Sequence, residues 1–443
     1  MADLHLSATV AESPVAERDA LVERRAIVTN MVIVPLCFAT GRLSADLVQL
    51  YAVQTLHLSP AQVGVALGSL VLSVPFQLAA VRLPRRLGFR RTMRLGYGVL
   101  VVLLVFLAAV PELARFGGTA VFVGFVAVLL CIEIAISMSW GVAWHPWMRV
   151  LVSGVHRARF VARMQFATQM LNVALTMGFG LIAGAVVDKN EYRLLLAVII
   201  GFLVLSIATL GRMPQSEVPA EQSRRSVGAE LRAAVRGLLG ERALRRLTVM
   251  YLIDTLLTAP VVAIYAVVVL RIPAAVVAAI LAARGLVAPV SLMGWGRLTR
   301  RLTTYQIITV TMIGTIAVRL LWLLLPANGG PAGTGTAVLF AAIVITAAVF
   351  AAGYGNANLT TWYQAVPDAH ARAMFALRDV VASSKLQLYA AAGGLVLAGS
   401  AGLGTASFGV VTLDGYRLFL LAGIPVAVLI GRLSRRAQRD GAR

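Results

Sequence analysis

The chain has 443 residues, of which 59% are hydrophobic and 13% are charged, and its formal net charge is +21. A soluble protein carries about 25% charged residues, so this composition excludes a large soluble domain. The basic residues lie between long apolar runs rather than in one stripe, which argues against nucleic-acid binding. Cys37 and Cys131 both lie in apolar runs, so neither a disulfide framework nor a Cys/His metal cluster is expected.

Twelve apolar segments are long enough to cross a membrane as helices, since a span needs about 20 residues. We therefore predict an all-α integral membrane protein of two six-helix bundles, residues 27–211 and 247–432. A polar N-terminal tail (1–26), a central linker (212–246) and a C-terminal tail (433–443) complete the chain. The predicted spans, numbered 1 to 12 in chain order, are 27–55, 61–81, 93–111, 119–145, 164–187, 194–211, 247–270, 274–296, 305–325, 337–361, 376–399 and 416–432.

The arginines predict the orientation of these spans. Clusters such as Arg82–Arg94 and Arg297–Arg301 fall on one side of the predicted membrane. By the positive-inside rule that side is cytoplasmic, which places both chain ends in the cytoplasm. Lys189 and Lys385 are the only lysines, and this bias towards arginine indicates GC-rich coding and hence a bacterial inner-membrane protein. The basic residues expected on the opposite side are Arg115, Lys189, Arg193, Arg271 and Arg417.

The central linker contains a segment, residues 230–239, whose apolar residues recur at three-to-four spacing. That pattern predicts an amphipathic helix lying on the cytoplasmic membrane surface. A solvated linker is the alternative for the first half of the loop.

The two halves match each other without a gap at an offset of 215 residues. Arg82-Leu83-Pro84-Arg85-Arg86-Leu87 aligns with Arg297-Leu298-Thr299-Arg300-Arg301-Leu302, and Trp147 aligns with Trp362. Trp and ordered Arg matches in one register are hard to obtain by chance. Because both halves start on the same side, the sequence predicts a parallel repeat about an axis along the membrane normal.

Several loops carry a resemblance to the major facilitator superfamily of transporters. Leu58–Gly64 resembles the start of that family's helix 2, Arg82–Arg91 its signature loop between helices 2 and 3, and Val366–Phe375 its loop between helices 10 and 11. The family has an Asp where Arg85 stands. Gly178–Gly184 resembles the family's antiporter motif but lacks its Pro, so it does not assign an antiporter. The resemblance implies gating loops at Arg82, Arg85, Arg86, Gly88, Arg90, Arg297, Arg300 and Arg301.

Ionisable residues inside the spans are the strongest functional candidates, because a charge at the helix centre costs about 2.5–3.5 kcal/mol. The resemblance implies a central cavity surrounded by spans 1, 4, 7 and 10 and walled by spans 2, 5, 8 and 11. Arg319, on span 9, is expected to snorkel towards the membrane surface. The alternative to function is that pairs such as Arg42–Asp46, Arg42–Glu133 and Asp254–Arg284 only lock helices together. The charges on the cavity-forming spans are Arg42, Asp46, Glu133, Asp254, Arg284 and Lys385.

We predict two roles for these charges. An acid held in low dielectric can exchange a proton near neutral pH, so Glu133 is the first candidate for proton coupling, with Asp46 and Asp254 as alternates. Arg42, Arg284 and Lys385 would attract a carboxylate or another anionic group of a substrate. Polar residues in membrane helices often serve only as interhelical contacts. Those suited to orienting a small organic molecule are Gln165, Gln169, Asn172, Tyr354, Asn356 and Asn358.

Together these features predict a secondary active transporter that moves a small organic solute with protons, as a monomer in the lipid bilayer. The exporter-like motifs favour efflux. The chain has no Gly-x-x-x-x-Gly-Lys-Ser/Thr phosphate loop, and we expect no cofactor, metal or nucleic-acid partner. The alternatives are a membrane-embedded enzyme, for which no nucleophile and base stand out, and a non-transporting receptor or scaffold.

Overall fold

The computed structural model leaves much of predicted spans 1 and 5 outside the residues that it describes. Arg42, Asp46, Gln165, Gln169, Asn172 and Arg300 fall outside as well, so their predicted roles stay predictions. The described residues are 24, 28–29, 48–80, 82–144, 147–148, 151–152, 164, 166–168, 170–171, 173–178, 188–213, 227–298, 301–326, 333–366, 371–403, 406–408 and 411–441.

Four helices in the described part of the first half are long and apolar enough to cross a membrane. They begin and end within a few residues of predicted spans 2, 3, 4 and 6. Residues 48–54, at the end of predicted span 1, are also helical. The short helix Leu83–Leu87 ends at Gly88, whose φ of +78° favours glycine. The four long helices are α1 Pro60–Ala80, α2 Phe89–Phe116, α3 Gly118–Trp144 and α4 Lys189–Arg212.

The second half follows the same pattern, with five helices of spanning length and composition among its described residues. A sixth helix, 33 residues long, occupies predicted span 11, while the count of twelve spans stays a prediction. The all-α prediction missed a small antiparallel ribbon in which Ala406 pairs with Leu413. The spanning helix Gly415–Gln438 is followed by helical residues up to Gly441, so helix extends into the predicted C-terminal tail. In chain order the elements are α5 Val227–Gly240, α6 Leu244–Val269, α7 Ala274–Leu298, α8 Thr304–Leu324, α9 Thr334–Ala365, α10 Ala371–Leu403, β1 Ala406–Phe408, β2 Val411–Leu413 and α11 Gly415–Gln438.

Local sequence fixes where helices α1 and α8 begin. The Ser59 hydroxyl accepts from the Gln62 backbone N–H (3.2 Å), and the Gln62 side chain accepts from the Ser59 N–H (2.8 Å). Thr303 and Gln306 make the same reciprocal pair at 3.2 and 2.9 Å. Each capping box satisfies two backbone donors that a helix start otherwise leaves unpaired.

The bundle has an arginine-rich end, which carries the loop after α1 and the loop after α7, and an arginine-poor end opposite. Near the arginine-poor end the two halves touch through glycines. A Cβ on Gly64 of α1 would lie 2.8 Å from the Gly394 Cα of α10, and a Cβ on Gly68 would lie 2.4 Å from the Ala391 Cβ. Small residues four apart let membrane helices approach closely. The contact therefore holds α1 and α10 close together near the arginine-poor end.

Helix α6 is broken near Pro260, whose ring removes a backbone donor, and the next residue, Val261, has a φ of +52°. Arg319 of α8 satisfies the carbonyls that the break frees, donating to Leu256 O (2.6 Å) and Thr258 O (3.1 Å). Arg319 is only 4% exposed. The expectation that it snorkels is therefore wrong: its guanidinium is held inside the protein by peptide carbonyls. Tyr389 and Tyr416 donate to carbonyls of the same break.

Replacing Gly423 of α11 with alanine is expected to disturb this carbonyl clamp. The new Cβ would lie 2.4 Å from the Arg319 Cζ and 2.5 Å from the Leu256 O, and overpacking of this kind costs about 1–3 kcal/mol. Thermal unfolding in detergent should show a lower Tm. On the same helix Gly431 is the matched control, since its nearest neighbour would be the Met312 Cβ at 3.9 Å. Equal Tm values for Gly423→Ala and Gly431→Ala would contradict the role of Arg319 in holding these carbonyls.

The linker helix α5 docks on the ends of α9 and α10 at the arginine-rich end. Leu238 is buried with Trp362, Val366 and Met374, and a Cβ on Gly237 would lie 2.5 Å from the Met374 Cε. Arg232, Val235, Arg236 and Leu239 are exposed. The segment is thus a helix with one docked face, and its position on a membrane surface stays a prediction.

Candidate functional site

The interior of the second half contains an ion pair between Asp254 and Lys385. Asp254 begins the 3₁₀ turn Asp254–Leu257 in α6, and Lys385 lies in the middle of α10. The Lys385 ammonium contacts the Asp254 Oδ1, and the two side chains are 14% and 12% exposed. The predicted pairing of Asp254 with Arg284 is wrong, because α10 packs against this turn of α6 and brings Lys385 to the carboxylate instead.

Two side chains of α9 complete the cluster. The Tyr354 hydroxyl donates to the Asp254 Oδ2 at 3.0 Å, and the Asn358 Nδ2 lies 3.4 Å from the same oxygen. Tyr354 and Asn358 are four residues apart and therefore share one face of the helix. Asn356 lies about 200° round the helix from Asn358, so its side chain leaves α9 on another face. Four predicted site residues are thus brought together.

Two aromatic rings lie beside the ion pair, towards the arginine-rich end. Tyr251 and Trp362 meet edge to face with their centroids 5.8 Å apart. The Lys385 Nζ lies 3.5 Å from the Tyr251 centroid, and the Arg378 Cζ lies 4.6 Å from it. Lys385 also donates to the Tyr251 carbonyl. A desolvated cation over a ring is stabilised by about 2 kcal/mol, so the rings help to hold both cations.

Sequence reasoning did not assign Tyr251 or Arg378 to the site. Their spacing carries a signal, since Tyr251 precedes Asp254 by three residues and Arg378 precedes Lys385 by seven. Both spacings place the two residues on one helix face. The aromatic character of the site could have been inferred from that pattern.

Two further polar atoms of α9 are buried without a hydrogen-bond partner among the residues that the structure describes. They are the Asn358 Oδ1 and the Trp362 Nε1, on side chains that are 3% and 1% exposed. The first is an acceptor and the second a donor. Buried polar groups are nearly always satisfied, often by ordered water. The cluster therefore has the groups to bind a water molecule or a hydroxyl beside the ion pair.

Glu133 lies in the middle of α3, half-buried, in the first half. The Gln387 side chain of α10 lies near its carboxylate. Gln387 is two residues from Lys385, which pairs with Asp254. Helix α10 thus contacts Asp254 of the second half and carries a side chain near Glu133 of the first half.

The predicted gating residues lie at the arginine-rich end. Arg90 Nη1 donates to the Met213 carbonyl at 3.2 Å, which ties α2 to the end of α4. Arg284, from the predicted substrate set, is half-buried on α7. The backbone of Arg85 is described but its side chain is not. The gating role stays a prediction, and the exposed members of the set are Arg82, Arg86, Arg297 and Arg301.

Near the arginine-poor end a second buried cluster surrounds Arg417, which is 1% exposed. Its Nε lies 3.3 Å from the Asp414 Oδ2 and donates to the Tyr265 hydroxyl at 2.9 Å. The guanidinium also donates to Leu325 O (2.8 Å) and Pro326 O (3.1 Å). These contacts join α6, the end of α8 and α11, so this arginine is a structural group.

Solved membrane transporters share this fold along almost the whole chain. The inward-facing structure of a bacterial homologue of the iron transporter ferroportin has a TM-score of 0.65 at 11% identity, covering 94% of this chain and 98% of that chain. A D-xylose-proton symporter has a TM-score of 0.65 at 12% identity, covering 92% and 97%. The nucleoside transporter NupG has a TM-score of 0.61 at 10% identity, covering 94% and 98%.

No protein-family model and no curated protein sequence matches the chain. The solved structures therefore establish the fold: this is a multi-pass membrane protein with the architecture of the major facilitator transporters. The fold predicted from the loop motifs is confirmed. Identity at this level does not transfer a substrate, because one fold hosts many functions. The internal repeat stays a prediction.

Proposed function

We propose that the protein is a secondary transporter that carries a small organic solute across a bacterial inner membrane by alternating access, coupled to protons. The observation that carries the proposal is the buried Asp254–Lys385 pair, with Tyr354 and Asn358 around it, inside a transporter fold. Desolvation offsets much of the attraction within a buried ion pair. A contribution to stability is therefore a poor explanation for a buried ion pair, and a functional role explains it better.

The pair provides a route from protonation to solute binding. A proton on Asp254 removes the charge that Lys385 contacts, so the ammonium becomes available to a carboxylate or another anion. The Asn358 Oδ1 and Trp362 Nε1 are placed to bind a hydroxyl of the same solute. In this scheme the proton and the solute bind together, which favours symport. Proton-coupled efflux, which the exporter-like sequence motifs favour, is the alternative to this symport scheme.

Glu133 is the second acid in the proposal; the sequence predicts it as the first candidate for the coupling proton, with Asp254 as an alternate. Glu133 is half-buried in the middle of α3, and the nearby Gln387 belongs to the opposite half. We also propose that the arginine-rich end faces the cytoplasm, with both chain ends on that side and the transporter acting as a monomer. The contact of Gly64 with Gly394 then represents closure towards the outside.

Reconstituted vesicles with a trapped pH dye test this function. A panel of labelled small carboxylates, sugars and nucleosides is offered under an imposed pH gradient. We expect one class to be taken up with proton entry, and Glu133→Gln to flatten the dependence of uptake on pH. If uptake by Glu133→Gln depends on pH as in the wild type, Glu133 does not carry the coupling proton.

The matched control is Glu112→Gln, which alters an exposed acid paired with Arg193 near the arginine-poor end and should leave uptake and its pH dependence unchanged. Absence of flux for every compound, together with chemical turnover of one of them in detergent, would favour a membrane enzyme instead.

A further inference from the structure

The linker helix α5 turns one face towards the protein and another face outwards. Leu238 packs with Trp362 and Met374 at the ends of α9 and α10, and Gly237 lies against the Met374 side chain. Successive residues of a helix are about 100° apart, which puts four exposed residues in one arc opposite this docked pair. These residues, called the outward face of α5 below, are Arg232, Val235, Arg236 and Leu239.

The outward face consists of an apolar stripe beside a basic stripe. Val235 and Leu239 are four residues apart, so they are neighbours on the helix surface, and they are 38% and 56% exposed. Arg232 and Arg236 form the next stripe with the same spacing, and the Arg232 Nε donates back to the Gly228 carbonyl at 3.3 Å. A helix with this pattern lies in a membrane interface, where apolar side chains enter the acyl boundary and arginines reach the headgroups.

The length of α9 places the outward face at the level of the lipid headgroups. Helix α9 has 32 residues, and since a helix rises 1.5 Å per residue it is about 48 Å long. The hydrocarbon core of a bilayer is only about 30 Å thick, so the ends of α9 reach the headgroup layer. Leu238 of α5 packs with Trp362 and Val366 at one of these ends. The docked helix is therefore held beside the lipid phosphates.

The charge of this region selects the kind of lipid. Residues 227–246 contain five arginines and two glutamates. Arg242 and Arg245, which follow α5, are exposed, as is Glu241, so the net charge around the outward face is positive. Each basic residue near an anionic membrane surface strengthens binding about fivefold, and a guanidinium matches the geometry of a phosphate. The partner that fits this face is thus an anionic phospholipid.

We propose that the outward face of α5 binds the headgroups of anionic phospholipids, and that the bound lipid holds α5 against α9 and α10. Leu238 belongs to the same buried cluster as Tyr251 and Trp362, the two rings beside the Asp254–Lys385 pair. A lipid that fixes α5 therefore also stabilises the packing next to this pair. The lipid site does not depend on which solute the protein carries.

The depth of a spin label on α5 tests the lipid contact. The full chain, with Cys37 and Cys131 replaced and a label on Leu239→Cys, is placed in nanodiscs of phosphatidylcholine with and without phosphatidylglycerol. With phosphatidylglycerol we expect the label to be shielded from a water-soluble nickel complex and accessible to oxygen. Replacing Arg232 and Arg236 with glutamine should remove this difference between the two lipid mixtures.

Thermal unfolding in detergent provides a second readout. Added phosphatidylglycerol should raise the Tm of the wild type more than phosphatidylcholine does, because a ligand that binds only the folded state stabilises it. The affinity should fall about fivefold for each arginine replaced, and high salt should weaken the effect through screening. The matched control is Arg435→Gln with Arg436→Gln, exposed positions of α11 at the same end, which should leave the depth of the label unchanged.

Three results would overturn the proposal. A label that stays equally accessible to nickel in both lipid mixtures would show that the outward face is solvated. An equal rise in Tm with inorganic phosphate, or with lipid in the double arginine variant, would exclude a lipid site on this face. Dipolar coupling between labels on two molecules would assign the face to a second copy of the chain. Neither readout requires solute flux, so absence of transport would overturn the proposed function and leave the lipid site intact.

Discussion

Replacing Lys385 with methionine is expected to abolish transport and to lower the free energy of unfolding by about 3–5 kcal/mol, the usual result of leaving one buried charge unpaired. The substitution leaves Asp254 with Tyr354 and Asn358 as its remaining hydrogen-bond donors. Chemical denaturation or thermal unfolding in detergent measures the stability, and vesicle uptake measures the function.

A double variant separates the two effects. Asp254→Asn with Lys385→Met removes both charges, so most of the lost stability should return while transport stays absent. Glu112→Gln is the control, because it breaks an ion pair in which Arg193 and Glu112 are 35% and 55% exposed, and exposed pairs contribute little. Transport by the double variant would show that the pair is structural.

Replacing Gly394 with alanine is expected to hold the arginine-poor end open. The new Cβ would lie 2.5 Å from the Gly64 Cα and 2.8 Å from the Pro60 O. These are backbone atoms, so the strain can be relieved only by moving the helices apart. A bias of about 1–3 kcal/mol changes the population of the closed state roughly 5- to 150-fold, and transport should fall accordingly.

Spin labels report the opening directly. Cysteines at Arg115 and Thr334, exposed positions of the two halves near that end, would carry the labels after replacement of Cys37 and Cys131. The distance between the labels should increase in Gly394→Ala. Gly201→Ala is the control, since no neighbouring atom would lie within 4 Å of its new Cβ. An unchanged distance together with wild-type transport would contradict the proposed closure.

The sequence predicted the helices well because each span is specified locally, by about 20 consecutive apolar residues. It also placed Asp254, Lys385, Tyr354 and Asn358 among the interior polar residues, since such residues stand out against an apolar background. The predicted partner of Asp254 was wrong: the sequence suggested Arg284, whereas the structure pairs Asp254 with Lys385. That choice depends on how α6, α7 and α10 rotate and pack against one another, which no local pattern encodes.

Two buried arginines escaped sequence reasoning for a related reason. Arg319 and Arg417 lie near predicted span ends, where arginines usually reach the membrane surface. Both instead donate to peptide carbonyls, and Arg319 does so at the break next to Pro260. Any residue can provide a backbone carbonyl, so the sequence does not show which carbonyl will accept a hydrogen bond from an arginine. The ribbon of β1 and β2 was missed because its strands are only three residues each.

The two buried arginines also bear on how the chain enters the membrane during synthesis. The carbonyls that receive Arg319 belong to Leu256 and Thr258, and those that receive Arg417 belong to Leu325 and Pro326. Every one of these acceptors leaves the ribosome before the arginine that needs it. Chains fold progressively from the N-terminus as they are made. Each helix that carries a buried arginine is therefore inserted after the segment that provides its carbonyl acceptors.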